Sequence, residues 1–231
     1  MCGIYRESPM MRRVLLKASD SRCLRENATR YRFLRRSVDR FMPGESVADA
    51  LRASVELSQH NIGAVLTGLG ENVPDRAEAE AVTNHYLQVL EAIRIQELPI
   101  EISVKLTQLG LDLDEAFCES NLSRLVCQTM PGQTLWIDME QSCYVERTLR
   151  VVHSFRQSPP PVGVCVQAYL HRTQPDVDRL IASGAAVRLV KGAYNEPSSV
   201  AFPKKMDVDN NYFKLAQKLL GREARANRVR H

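Results

Sequence analysis

From about residue 61 onward, short apolar runs alternate with amphipathic stretches, and this alternation limits the chain to a small set of folds. The runs are Ile62–Leu66, Ile100–Leu106, Thr134–Asp138, Val162–Gln167 and Ala186–Val190. Between them lie segments of helical periodicity. In Asp75–Ile95 the residues Val82, Tyr86, Val89, Leu90 and Ile93 share one face, and Leu113–Cys127, Tyr144–Phe155 and Asp176–Ala182 follow. A last helix is expected over Asp209–Leu220. Pro131-Gly132, Ser158-Pro159-Pro160-Pro161 and Gly184 punctuate the boundaries. Repeated strand–helix units pair their strands in parallel through right-handed crossovers. Five units fit either an open doubly wound sheet or part of an eightfold barrel. A complete barrel takes about 250 residues. Here a different pattern fills the first quarter of 231 residues, so about three units would be missing.

That first quarter reads as a helical arm. Met11–Lys17 and Asn27–Phe41 are expected helices, Met42-Pro43-Gly44 is a turn, and Glu45–Gln59 carries Val47, Leu51, Val55 and Leu57 at near-helical spacing. The expected division is an arm over 1–60 and a partial barrel over 61–231 that bears the site. With 44% hydrophobic and 25% charged residues, disorder and a fibrous fold are excluded for most of the chain. No run approaches the roughly 20 apolar residues of a spanning helix. The start also lacks the charged-then-apolar order of a secretory signal, so a cytoplasmic location is expected.

Six cysteines without a C-x-x-C pair read as reduced thiols, and five histidines without ligand spacing give no reason to expect a metal. The net charge of +4 is concentrated in Arg30–Arg36 and in Arg222, Arg225, Arg228 and Arg230. Such runs suit the inner face of an anionic membrane as a peripheral contact, or they are plain solvated arginines. No nucleic-acid module accompanies them, and nucleic-acid binding is not expected.

Several strands finish on polar groups. Lys105 ends the second, Asp138 the third and Gln167 the fourth, while Arg188 lies inside the fifth between Val187 and Leu189. In parallel α/β folds the carboxyl ends of strands carry the binding chemistry. These four side chains can therefore converge on one pocket, with a Lys and an Arg keeping one Asp ionised. The alternative is a buried ion network that only fixes strand register. In either case Arg188, inside an apolar strand, needs an acceptor to offset its desolvation. Lys191-Gly192-Ala193 continues the fifth strand into a small-residue turn. Its backbone N–H groups could hold phosphate oxygens with Lys191 adding charge, or it is an ordinary strand-to-helix turn. Tyr169 is a core wall or a stacking surface, Glu71 a rim or turn residue, and Trp136 and Met139 default to core packing.

Taken together, Ser103-Val104-Lys105-Leu106, Ile137-Asp138-Met139-Glu140, Val166-Gln167-Ala168-Tyr169-Leu170 and Val187-Arg188-Leu189-Val190-Lys191-Gly192-Ala193-Tyr194 resemble the proline dehydrogenase family in order and spacing. Leu69-Gly70-Glu71 and Val208-Asp209-Asn210-Asn211-Tyr212 look similar as well, and the likeness runs from about Arg40 to Leu220. The resemblance implies a (β/α)8 TIM-like barrel of the proline dehydrogenase type, incomplete at about five β/α units. It also implies FAD at the strand ends, oxidation of L-proline to 1-pyrroline-5-carboxylate by hydride transfer to the flavin, and electrons passed to a quinone. Lys105 would then face the substrate carboxylate and Asp138 would anchor Lys105. Arg188 would hydrogen-bond the flavin near its reactive nitrogen, and Gln167 would hold the ring edge. Met139, Lys191, Gly192 and Ala193 would also contact the cofactor.

Nothing after Leu220 matches the family's Thr-His pair or its paired carboxylate-binding arginines. A truncated barrel without full activity is one expectation. A Schiff-base lyase using Lys105 or Lys191 and a non-catalytic remnant that binds a partner along its open edge are the others.

Overall fold

The computed structural model describes residues 46–229, with side chains to residue 221. The helices expected over Met11–Lys17 and Asn27–Phe41, and both arginine-rich runs, lie outside these described residues and side chains. The chain divides into two units, 1–53 and 54–231. Of the first, only residues 46–53 are described: Ser46 and the start of helix α1 (Val47–Ser58).

The second unit is built from five strands and the helices between them. In chain order these are β1 (Ala64–Thr67), α2 (Arg76–Ile95), β2 (Ile100–Val104), α3 (Glu115–Gln128), β3 (Leu135–Ile137), α4 (Val145–Ser154), β4 (Val162–Gln167), α5 (Thr173–Ser183), β5 (Ala186–Val190) and α6 (Lys205–Val229). A 3-10 turn, Ser142–Tyr144, precedes α4. The helix starts are set locally. Asp75 caps α2 by accepting from the Glu78 N–H at 2.9 Å, and Asp114 caps α3 from the Phe117 N–H at 3.1 Å. Gly184 closes α5 with φ of 79°, a left-handed conformation that glycine adopts without steric cost.

All five strands are parallel and stand in the order β1-β2-β3-β4-β5. A doubly wound sheet reverses its strand order at a switch point, whereas a barrel adds each strand beside the last. The unbroken order settles the choice that periodicity leaves open. The unit is an incomplete TIM-like barrel, and among the described residues β1 and β5 are paired on one side only.

The two faces of the sheet differ in kind. Ile100, Ile102, Val104, Leu135, Ile137, Val162, Val164 and Val166 project to the helix side and are buried. They meet Leu90, Ile93, Leu122, Leu125, Val151 and Val177, also buried, and each such side chain contributes about 1.5–3 kcal/mol of transfer free energy. The opposite face takes the residues one position out of phase: Glu101, Ser103, Trp136, Gly163, Cys165, Gln167 and Arg188. This second face is polar, and it carries the candidate site.

Candidate active site

Register brings the strand-end residues level. Val104 stands opposite Ile137, Ile137 opposite Val164, and Cys165 opposite Arg188. One residue further on, Lys105, Asp138 and Cys165 fall in the same row as Arg188, all on the polar face.

Asp138 is the hub of this row. One carboxylate oxygen, Oδ1, accepts from the Arg188 guanidinium and from the Ser103 hydroxyl at 2.6 Å. The other, Oδ2, faces the Lys105 ammonium at 3.7 Å and accepts from the Thr67 hydroxyl at 3.4 Å. Arg188 also donates to Ser103 Oγ at 3.0 Å. Lys105 and Asp138 are largely shielded, with side chains 14% and 18% exposed, and Arg188 is 30% exposed. Their mutual attraction is therefore stronger than that of a surface pair. Cys165, in the same row, is buried, and that burial pushes its thiol up and keeps it protonated.

Behind the row, Glu140 is 1% exposed and ties the ends of β2 and β3 together. It accepts from the Thr107 N–H at 3.1 Å and from the Thr107 hydroxyl. Burial raises its pKa above the ordinary 4.5, against the lowering by both Thr107 bonds. Gln167 is buried at the end of β4 and donates to the Met139 carbonyl at 3.1 Å. Its Oε1 has no partner among the described atoms, and neither has Arg188 Nε.

The loop after β5 folds over the strand ends. Gly192 has φ of 104°, and a Cβ there would lie 2.1 Å from the Tyr169 ring, so only glycine lets the chain pass. Tyr169 is thus a buried wall against Gly192, and burial pushes its hydroxyl up to about 12. The Tyr194 hydroxyl donates to Glu71, which joins the exit of β5 to the exit of β1. Glu196 accepts from the Ser142 N–H and hydroxyl, both at 2.7 Å.

Of the residues singled out in the sequence, Lys105, Asp138 and Arg188 come together directly, and Gln167 and Met139 adjoin one another beside them. Lys191 lies apart from this cluster. Its ammonium binds Asp209 of α6 at 2.6 Å and stands 5.8 Å from the centre of the Tyr212 ring. Ala193 is exposed in the turn that follows. Ser103, Thr107 and Glu140 belong to the site although sequence reasoning assigns them no role. The usable signal is the offset of two, since Ser103 precedes Lys105 and Glu140 follows Asp138 by one strand repeat.

Parallel β/α units in barrel order, with an ion cluster at the carboxyl ends of the strands, define a barrel-type α/β protein. The family model described as proline dehydrogenase matches residues 50–230. The chain is 37% identical over 167 residues to proline dehydrogenase 2 of Bacillus subtilis (strain 168), covering 71% of this chain and 55% of that protein. It is 31% identical over 207 residues to proline dehydrogenase 1 of the same strain, covering 89% of this chain and 68% of that protein. This chain belongs to the proline dehydrogenase family. Among solved structures it is similar to proline utilization A from Bdellovibrio bacteriovorus inactivated by N-propargylglycine. That match has a TM-score of 0.68 and 22% identity, over 91% of this chain and 26% of that one. Proline utilization A from Corynebacterium freiburgense gives a TM-score of 0.61 at 22% identity, over 88% of this chain and 23% of that one. These structural likenesses establish the fold. The chain spans little more than half the length of the first relative.

Proposed function

We propose that this chain forms the flavin- and substrate-bearing part of an enzyme that oxidises L-proline to 1-pyrroline-5-carboxylate, with FAD as cofactor and a quinone as electron acceptor. One observation carries the reading. Two cations, Lys105 and Arg188, share the single carboxylate of Asp138, while Arg188 Nε and Gln167 Oε1 remain unpartnered. A network that served only to fix register would close those bonds, because a buried unpaired polar atom costs about 1–3 kcal/mol.

The two orphans fit an isoalloxazine edge, which offers ring-nitrogen acceptors and an imide N–H donor. Arg188 Nε would donate to the ring, and Gln167 Oε1 would accept from it while Nε2 stays on the Met139 carbonyl. When bound, the flavin would supply the two-electron oxidation that no side chain of this chain can perform. Asp138 orients Arg188 toward the ring and holds Lys105 as a charged anchor for the substrate carboxylate. Gly192 and Ala193 would contact the cofactor through their backbone. Lys191, held by Asp209, would act at the edge of the site through its charge. The two lysines that a Schiff-base lyase would need are both engaged in ion pairs, Lys105 with Asp138 and Lys191 with Asp209.

Trp136 is the one tryptophan of the chain, and its ring lies 5.6 Å from the Arg188 guanidinium. Titration of the purified chain with FAD should quench Trp136 emission saturably, and anaerobic L-proline should then bleach the visible flavin band. Absence of quenching at every FAD concentration would refute the cofactor site. Quenching without bleaching would place turnover beyond this chain's own residues.

A further inference from the structure

A second chain of contacts crosses the polar face one level below the Asp138 row, and the proposed chemistry leaves it without a task. It starts at Glu101 of β2. Glu101 Oε1 accepts from the Thr134 N–H at 2.8 Å, and Oε2 accepts from the Trp136 indole N–H at 2.6 Å. These bonds fix the indole at its polar end. Its six-membered ring then leans across β4 at Gly163, its register partner on that strand. A Cβ on Gly163 would lie 2.6 Å from two carbons of that ring, so glycine is the residue that lets the indole lie flat here. Beyond Gly163 the ring meets Arg188 of β5, whose guanidinium carbon stands 5.6 Å from its centre. Three strands thus deliver one aromatic face to one cation.

That face matters because of what Arg188 otherwise lacks. Its terminal nitrogen is held by Asp138 and Ser103, while Nε is enclosed and has no hydrogen-bond partner among the described atoms. Hydrogen bonds at one end alone leave the placement of Nε to the groups packed around the guanidinium plane. An aromatic face within about 6 Å attracts the cation and helps to set that placement. A carboxylate hydrogen-bonded to the indole N–H adds electron density to the ring and strengthens the attraction. We infer that Glu101 and Trp136 are positioning residues that hold the Arg188 guanidinium, with Nε aimed at the cofactor. The inference deepens the flavin reading and rests on it for the functional consequence, while its geometric part stands on contacts within the chain itself.

The experiment compares Trp136→Leu, Trp136→Phe and Glu101→Gln with the unaltered chain, using two readouts. The first is the Arg188 Nε–H resonance of the apo chain, which the indole ring current displaces. The second is the dissociation constant for FAD, measured from flavin fluorescence. Trp136→Leu should move the resonance and weaken FAD binding about tenfold, the scale of a partly desolvated cation–π contact. Trp136→Phe should recover most of the affinity, because it keeps an aromatic face. Glu101→Gln should weaken binding about threefold while far-UV circular dichroism stays unchanged. An unmoved resonance in Trp136→Leu, or FAD affinity unchanged in all three variants, would overturn the inference. If Trp136→Leu does not fold, Glu101→Gln decides the matter on both readouts. If the unaltered chain binds no FAD, the flavin reading fails, and the resonance alone decides whether Glu101 and Trp136 hold Arg188.

Discussion

Replacing Asp138 by alanine tests whether the strand-end row is held by charge. In the folded chain its carboxylate accepts from Arg188, Ser103 and Thr67 and faces Lys105. An opposed pair at such distances gains about 4 kcal/mol gross at an effective dielectric near 20. Desolvation and the partial exposure of Arg188 reduce the net effect. Truncation does more than remove the attraction, because Lys105 and Arg188 are left facing each other without a counter-charge. Complete burial would make that loss about 3–5 kcal/mol, and partial exposure lowers the expectation to about 2–3 kcal/mol. Asp138→Asn still accepts from Ser103 and should lose less, about 1–2 kcal/mol. Urea unfolding followed by Trp136 emission gives these values directly. The diagnostic quantity is the coupling in a cycle of Asp138→Ala, Arg188→Ala and the double variant, expected at about 1.5–3 kcal/mol. The Trp136 contact of Arg188 is present in both legs and cancels. A coupling below about 0.5 kcal/mol would refute the view that Asp138 organises the row.

Glu140→Gln should change how stability depends on pH. The folded carboxyl titrates above its ordinary 4.5, so the contribution is complete below that value and is lost as pH rises through the folded pKa. The amide has no such titration, and the stability of Glu140→Gln relative to the unaltered chain should therefore rise across that window and level off above it. Denaturation midpoints from pH 4 upward check this, and a flat difference would count against it. Gly192→Ala forces a left-handed residue and a Cβ into the Tyr169 ring, which should cost about 2–4 kcal/mol and appear as a lower thermal midpoint. Gly163→Ala should instead displace the indole that packs on it, giving a red-shifted Trp136 emission together with weaker FAD binding.

Strand positions were legible because their signals are local. Ile100–Leu106 alternates apolar and polar residues, and the two faces of β2 follow directly from that phase. Val162–Gln167 and Ala186–Val190 match the observed bounds of β4 and β5. Helix α5 starts at Thr173, three residues before the expected Asp176, because the Thr173 hydroxyl binds the Gln167 carbonyl and starts the helix from the strand end itself. Barrel order was not legible from periodicity, since a doubly wound sheet has the same repeat and differs only in which strands become neighbours. The meeting of Lys105, Asp138 and Arg188 was legible from their places at strand ends. The destination of Lys191 was not. It follows Val190 on β5 and so points to the helix side, where Asp209 captures it. Trp136 is the clearest loss, because a tryptophan in a short strand defaults to core packing. Its task depends on Glu101 35 positions earlier and on a glycine two strands' breadth from that carboxylate.

The polar face of the sheet differs in kind from the interior of a packed barrel. In a packed barrel, inward side chains are mostly branched and apolar, because neighbouring layers fill the interior. Here the inward row of β2 to β5 holds Ser103, Lys105, Asp138, Cys165, Gln167 and Arg188, and Gly163 and Cys165 at its centre are small. Gly163 gives its room to the Trp136 indole, and the long polar groups stand beyond it at the strand ends. Two cations against one carboxylate leave those strand ends favourable to electron-rich groups, such as a substrate carboxylate or a ring that gains charge as it is reduced. On the helix side, Ile100, Ile102, Val104, Leu135, Ile137, Val162, Val164 and Val166 are apolar and buried, and they supply the packing that keeps the row rigid. The proposed function thus puts stability and chemistry on opposite faces of the same five strands. A substitution that fails on one face should be separable from one that fails on the other. Ile102→Ala should lower the unfolding midpoint while leaving the FAD dissociation constant near its original value, whereas Gln167→Leu should raise that constant in addition to lowering the midpoint through the lost bond to the Met139 carbonyl. If Ile102→Ala raised the constant as Gln167→Leu does, this division of labour between the faces would be wrong.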